Sequence, residues 1–270
     1  MADIETPDYS LLDGAGAALT MFYPRTDLYP PTNGASDHFF EAEAGVRLGA
    51  RLYGVDPLWP TLLYFHGNGE IASDYDDISA LYNDRRLNLL VVDFRGYGAS
   101  TGHPTAATLV SDAHPVVQGF HGLLDGLGYS KVRYLMGRSL GAHPALEAAA
   151  NAGAGFAGLI IESGASNLRR SLDRYGLLET ELGGRLAKAH EAKLASIVLP
   201  TVIIHGEHDE LVPLETAHQL FDLLALAERK LVTIPEAGHN DLLWAGERLY
   251  FDSIEELVTA TRDTTRGDAR

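Results

Sequence analysis

Five residues, Gly137-Arg138-Ser139-Leu140-Gly141, form the pattern G-x-S-x-G between a strand-like run at residues 131–136 and a helix-like run at 142–151. The serine therefore falls on the turn that joins a strand to a helix. A serine lifted above a sheet edge on so cramped a turn leaves no room for side chains two residues before and after it. Glycine at both places removes the collision. Ser139 is a candidate nucleophile. In a chain with 28 glycines the pattern alone is of moderate specificity, because a helix-capping serine looks the same in isolation. Its neighbours in the fold must decide.

A serine hydroxyl is nearly inert at neutral pH and needs a base within hydrogen-bond reach, and the base needs an acid to hold its tautomer. The apolar run at 199–205 reads as a buried strand and opens into Gly206-Glu207-His208-Asp209, which places Asp209 just beyond a strand end. The next strand-like run, 230–234, leads into Pro235-Glu236-Ala237-Gly238-His239. Nucleophile, acid and base thus follow in the order Ser139, Asp209, His239, each at the carboxyl end of an expected strand, where open α/β sheets place their sites. Glu162, closing the sixth strand, is an alternative acid, but the D-x-x-V-P setting of Asp209 favours the latter. Two backbone donors are expected for a tetrahedral oxyanion: the amide of Leu140 and, from the glycine-flanked loop His66-Gly67-Asn68-Gly69-Glu70, the amide of Asn68.

These residues carry a resemblance. Tyr64-Phe65-His66-Gly67-Asn68-Gly69, then Asp93-Phe94-Arg95-Gly96-Tyr97-Gly98-Ala99-Ser100, the turn at Ser139, His205-Gly206-Glu207-His208-Asp209 with Val212-Pro213, and Gly238-His239-Asn240-Asp241 together resemble an α/β-hydrolase of the compact serine-hydrolase kind. Within that superfamily the chain is most similar to bacterial relatives of depalmitoylating hydrolases and to serine aminopeptidase-like hydrolases. The resemblance implies a mostly parallel eight-stranded sheet with helices on both faces and a small cap after the sixth strand. It also implies a serine esterase or thioesterase without a cofactor. The aminopeptidase alternative requires a carboxylate-lined subsite for a peptide ammonium, which Glu70, Asp74 or Asp76 would supply. A ligand-binding protein that keeps the fold without catalysis is the third reading. Membrane-attached depalmitoylases carry a lipidated cysteine cluster or an anchor near the amino terminus, and this chain has no cysteine.

The chain's 270 residues are 46% hydrophobic, enough for one sizeable core. The expected organisation is an irregular arm over 1–36, rich in Pro, Gly and Asp, followed by one α/β domain over 37–270. No apolar run approaches the ~20 residues that cross a bilayer, and the start lacks a basic, then apolar, leader; a cytoplasmic protein without stable membrane insertion is expected. A formal charge of −16 opposes binding to nucleic acid. The densest basic group, Arg169, Arg170 and Arg174, reads as a solvated helix face. A small-molecule ester or thioester is the expected partner, and the oligomeric state is open.

Helices are expected over 72–86, over 105–127 with an interruption at His114-Pro115, and over 253–262. About thirty residues at 167–196, more than one crossover needs, imply the small cap, with Leu172, Tyr175, Leu177, Leu178 and Leu182 either lining a pocket or packing on the sheet. His205 and His208 stand beside Asp209 without an evident third ligand, so no metal is expected. His66 is expected to order its loop, Asp93 to hold the glycine-rich turn after it, and Arg138 to form a salt bridge to a neighbouring helix.

Overall fold

The computed structural model describes residues 6–32, 34–164, 168–226 and 228–267. Eight strands form one sheet: β1 (Ser36–Glu43), β2 (Val46–Tyr53), β3 (Thr61–Phe65), β4 (Asn88–Val92), β5 (Arg133–Arg138), β6 (Gly158–Glu162), β7 (Thr201–Gly206) and β8 (Arg229–Ile234). Their order is β1-β2-β4-β3-β5-β6-β7-β8. Only β2 runs against its neighbours, antiparallel to β1 and β4; the remaining pairs are parallel. The five strands from β4 to β7 in this order are buried along nearly their whole length. That is why they read as continuous apolar runs rather than as alternating ones.

Alternation still sorts the two faces. Leu63, Phe65, Leu135, Ile161 and Ile203 point into one core, while Leu62, Tyr64, Met136, Ile160 and Ile204 point into the other. The first core is closed by α5 (Ala113–Gly126), α6 (Ala142–Ala152) and α9 (Leu214–Leu223), and the second by α3 (Ser79–Asn83) and α10 (Leu242–Gly267).

Three helices differ from the sequence expectation. Over 72–86 a 3₁₀ turn (Ala72–Tyr75) and the short α3 replace one continuous helix. Asp74 and Asp76 are pinned by Arg25 and Arg51, and these long-range pairs override local propensity. Over 105–127 the break lies at Asp112, between α4 (Ala106–Ser111) and α5. Arg95 clasps both oxygens of Asp112 at 2.7 Å, and Pro115 then falls in the first turn of α5, where its missing N–H costs nothing. The last helix starts at Leu242 and bends at Gly246 (φ −151°, ψ 44°). A Cβ there would lie 2.5 Å from Ile234.

The arm is more ordered than its composition suggests. It forms α1 (Ser10–Gly14) and α2 (Ala18–Met21), and Tyr9, Leu12 and Ala17 build a third core with Ala106, Val110, Leu168, Leu172, Leu186 and Ala187. Leu168 and Leu172 belong to α7 (Leu168–Arg174), and Leu186 and Ala187 to α8 (Glu181–Ala195), the two helices between β6 and β7. The Asp13 carboxylate accepts the amides of Ala106 and Ala107 at 2.6 and 3.1 Å, so the arm caps the amino terminus of α4. Among the described residues, no helix is long and apolar enough to cross a membrane.

A buried ion pair joins these layers. Lys193 of α8 donates to Glu147 of α6 and to the Tyr9 hydroxyl, both at 2.5 Å. Replacing one member of such a pair strands the other charge at a cost of about 3–5 kcal/mol. Lys193→Met is therefore expected to lower unfolding free energy by about that amount in urea denaturation, and Lys193→Met/Glu147→Leu to recover most of the loss.

Candidate active site

The turn after β5 has Ser139 at φ 51°, a left-handed conformation that a serine adopts only when its surroundings fix it. The surroundings here are backbone. A Cβ on Gly141 would lie 2.0 Å from the carbonyl oxygen of Phe65, and one on Gly137 would lie 2.4 Å from that of Gly141. The turn is thus pressed against the end of β3, whose Phe65 is in register with Gly137.

His239 lies on the loop after β8 and Asp209 on the loop after β7. His239 Nε2 is 2.9 Å from Ser139 Oγ, and Nδ1 is 2.7 Å from Asp209 Oδ2. With Asp209 ionised, Nδ1–H donates to the carboxylate and Nε2 is left to accept from the serine. The other carboxylate oxygen accepts the amides of Leu211 and Val212 at 3.0 and 2.7 Å. Burial opposes the charge on Asp209, but hydrogen bonds from His205 and His239 and from the Val212 amide outweigh it and hold the carboxyl well below its ordinary value. His205 Nε2 also donates to the Val212 carbonyl at 2.7 Å. His208 instead faces Glu236 at 3.6 Å, so the two histidines do not share a site. A depressed carboxyl contributes stability that is complete above the unfolded value, near pH 4, and is lost as pH falls towards the folded value. Between pH 7 and 3 the urea stability of Asp209→Asn is expected to fall less than that of the parent.

The loop after β3 lies beside the serine turn. Gly67 donates its amide to Glu70 at 2.8 Å, and Tyr75 donates its hydroxyl to the same oxygen at 2.8 Å. Among the described residues the backbone N–H of Asn68 donates no hydrogen bond. Leu140 is the second residue of its 3₁₀ turn, so its N–H belongs to those that a helix start leaves without an intrahelical acceptor. His66 is buried, with Nδ1 2.7 Å from the Gly67 carbonyl. Asp93 accepts the amides of Ala72 and Ala99 at 2.7 and 3.2 Å, a structural role.

Among the described residues the ion pairs of Arg138 are not to a neighbouring helix, as its sequence setting suggests, but to a loop and a strand end. Its guanidinium contacts Glu70 on the loop after β3, Glu162 at the end of β6 (3.1 Å), and the Asn240 side chain and His239 carbonyl (2.8 and 3.2 Å). Burial disfavours its charge, but Glu162 and Glu70 outweigh that and raise its pKa. Glu162 is consumed here: its second oxygen accepts the hydroxyls of Tyr64 and Tyr250 at 3.0 and 2.7 Å. The carboxylate bonded to His239 is Asp209. The three carboxylates weighed for an ammonium subsite each face an arginine: Glu70 with Arg138, Asp74 with Arg25, Asp76 with Arg51. Arg138's partners lie 24, 68 and 102 residues away in the chain, a separation at which no local pattern signals the contact. Arg138→Leu would strand Glu162 among tyrosines. A loss of about 3–5 kcal/mol is expected in urea denaturation. Arg138→Lys should not restore it, because an ammonium lacks the planar fork that reaches three elements at once.

The cap begins outside the described residues at Asn167; α7 and α8 form the rest. Leu172, Tyr175, Leu177 and Leu178 join the third core with the arm rather than the sheet, and Leu182 is exposed. A groove of about 720 Å³ between α7, α8 and α9 is lined by Leu168, Leu178, Pro213 and Leu220 and contains none of Ser139, Asp209 and His239.

A family model described as serine aminopeptidase, S33 matches residues 59–191. The chain is 27% identical to the protein bem46 of Schizosaccharomyces pombe over 188 residues, covering 67% of this chain and 62% of that protein. It is also 27% identical over 242 residues to an uncharacterized protein of Mycobacterium tuberculosis, Rv2307c, covering 83% and 79% of the two. The Pyrococcus furiosus esterase Pf2001 superposes with a TM-score of 0.69 at 19% identity, covering 89% of this chain and 98% of the esterase. Strand order, matched family model and relatives agree: the chain has the α/β-hydrolase fold and is similar to members of that superfamily.

Proposed function

We propose that this chain is a serine hydrolase that cleaves a carboxylic ester or thioester of small or medium acyl size through an acyl-enzyme. The observation that carries the reading is the unbroken line Ser139 Oγ, His239 Nε2, His239 Nδ1, Asp209 Oδ2, with links of 2.9 and 2.7 Å. His239 takes the Ser139 proton as Oγ attacks the substrate carbonyl, and Asp209 stabilises the imidazolium that forms. The amides of Leu140 and Asn68 receive the oxyanion. His239 then returns the proton to the departing alkoxide or thiolate, and water repeats the sequence on the acyl-enzyme to release the acid. Each step uses groups of the chain itself, without a cofactor. Oxyanion stabilisation is usually the largest contribution, with about 2.7–4 kcal/mol lost per missing donor.

The family description names an aminopeptidase, and the Pyrococcus neighbour is an esterase. The pairing of Glu70, Asp74 and Asp76 with arginines favours the ester, because a peptide ammonium would have to break an existing ion pair to be held. A binding protein would have no use for a serine strained at φ 51° beside an imidazole.

Hydrolysis of p-nitrophenyl esters of increasing acyl length, beside aminoacyl p-nitroanilides, tests the reading. Ester turnover is expected to peak at one acyl length, to vanish in Ser139→Ala, and to fall about 10⁴-fold in Asp209→Asn, which favours the wrong imidazole tautomer. Preferential anilide turnover would instead establish the peptidase. Inertness towards every substrate, with no labelling of Ser139 by a fluorophosphonate, would leave the binding-protein alternative.

A further inference from the structure

The loop proposed to supply an oxyanion donor is built from residues that do not fix themselves. Gly67 and Gly69 flank Asn68, and Gly69 sits at φ 78°, so the loop carries more backbone freedom than a donor can tolerate. Glu70 and Arg138 hold one end. The other hold comes from the arm. Asn68 Nδ2 donates to the Met21 carbonyl at 2.7 Å, and Oδ1 accepts the Tyr23 amide at 3.1 Å and the Tyr97 hydroxyl at 2.7 Å. The Tyr97 hydroxyl accepts the same Tyr23 amide at 2.9 Å. Arg25 donates to the Gly69 carbonyl at 3.2 Å and to Asp74 at 2.7 Å, and its own carbonyl accepts the Gly98 amide at 2.7 Å.

This network admits one orientation of the Asn68 side-chain amide. Turning it over would set an NH₂ group against the Tyr23 N–H and a carbonyl against that of Met21. It also explains why a tyrosine stands between two glycines in Arg95-Gly96-Tyr97-Gly98. Gly96 and Gly98 have φ 74° and 46°, and the turn they make carries the Tyr97 ring against His66 and Phe94 with its hydroxyl on Asn68. At its other end the arm is fastened to the cap through Tyr9 with His190 (2.7 Å) and Thr20 with Tyr175 (2.7 Å).

We propose that residues 21–25 of the arm, through the Asn68 side chain and the Tyr97 hydroxyl, are positioning residues that aim the Asn68 amide at the developing oxyanion. This rests on the hydrolase reading above. A donor displaced by about 1 Å costs on the order of 10²-fold in rate, and donors that act in the transition state affect kcat rather than KM.

Two variants keep the donor amide while removing the hold: Asn68→Ala, and Tyr97→Phe, which retains the ring. Each is expected to lower kcat for a p-nitrophenyl ester about 10- to 100-fold with KM changed by less than about twofold. The shape of the pH–kcat profile should stay as in the parent, since Ser139, His239 and Asp209 are untouched. The double variant should be little worse than Asn68→Ala alone, because both act through one link. Hydrogen exchange should quicken together in peptides covering 64–72 and 18–26. An unchanged kcat beside a lowered Tm would overturn the proposal, and so would exchange that quickens in neither segment or in only one. A parent protein that hydrolyses no ester would sink the hydrolase reading and the catalytic part of this proposal with it. The exchange data would then still decide whether the arm fixes the loop.

Discussion

The site depends on one steric fact: the turn after β5 folds so tightly that position 137, against Gly141 and Ala145, and position 141, against the end of β3 at Phe65 and His66, have no room for a Cβ. Parallel pairing of β3 with β5 brings Phe65 level with Gly137. The carbonyls of Phe65 and His66 then abut Gly141. That contact sets Ser139 in the left-handed region, where a non-glycine residue costs on the order of 1–3 kcal/mol. It also brings the loop after β3 alongside the first amides of the next helix. The strain and the juxtaposition of the two amide-bearing segments have the same cause.

Charge is the second constraint. The chain carries 37 acidic against 21 basic residues, yet buried cations hold its layers together. Arg51 links β2 to Asp37 and Asp76, Arg138 ties the strand ends around the serine, and Lys193 ties cap to helix. Each meets two or more oxygens, as a buried cation must if its desolvation is to be offset. Acidic residues in excess are harmless on a solvated surface. The basic residues are few, and several of them hold structural positions inside.

How much of this was legible follows from the range of each interaction. The strands were readable because burial on both faces leaves continuous apolar runs, and the turn at Ser139 because its glycines obey a local steric rule. The order of Ser139, Asp209 and His239 along the chain needed only strand ends. The break at Asp112 and the division of residues 72–86 were not readable, because Arg95, Arg25 and Arg51 come from distant segments and locally the sequence still favours helix. The order of the arm is hidden from local sequence for the same reason. Its two helices have five and four residues, too short to show a period, and they are stable only against α4, α7 and α8. Arg138 stood in plain view beside the serine. What it holds did not, since its partners arrive from three other strand ends.

The electrostatics of the proposed cycle follow from the same geometry. Arg138 brings one positive charge to the carboxylates of Glu70 and Glu162, and Asp209 adds a third negative charge next to His239. In the proposed cycle Asp209 stabilises the imidazolium, but this excess of negative charge does nothing for an oxyanion and opposes it at short range. That anion has to be stabilised by oriented dipoles rather than by a side-chain charge, and backbone amides supply dipoles without adding an ion that Glu70 or Glu162 would capture. A dipole acts only if it is aimed. This is why the hold on Asn68, from the arm on one side and from Glu70 with Arg138 on the other, matters more here than in a site where a free arginine faces the substrate.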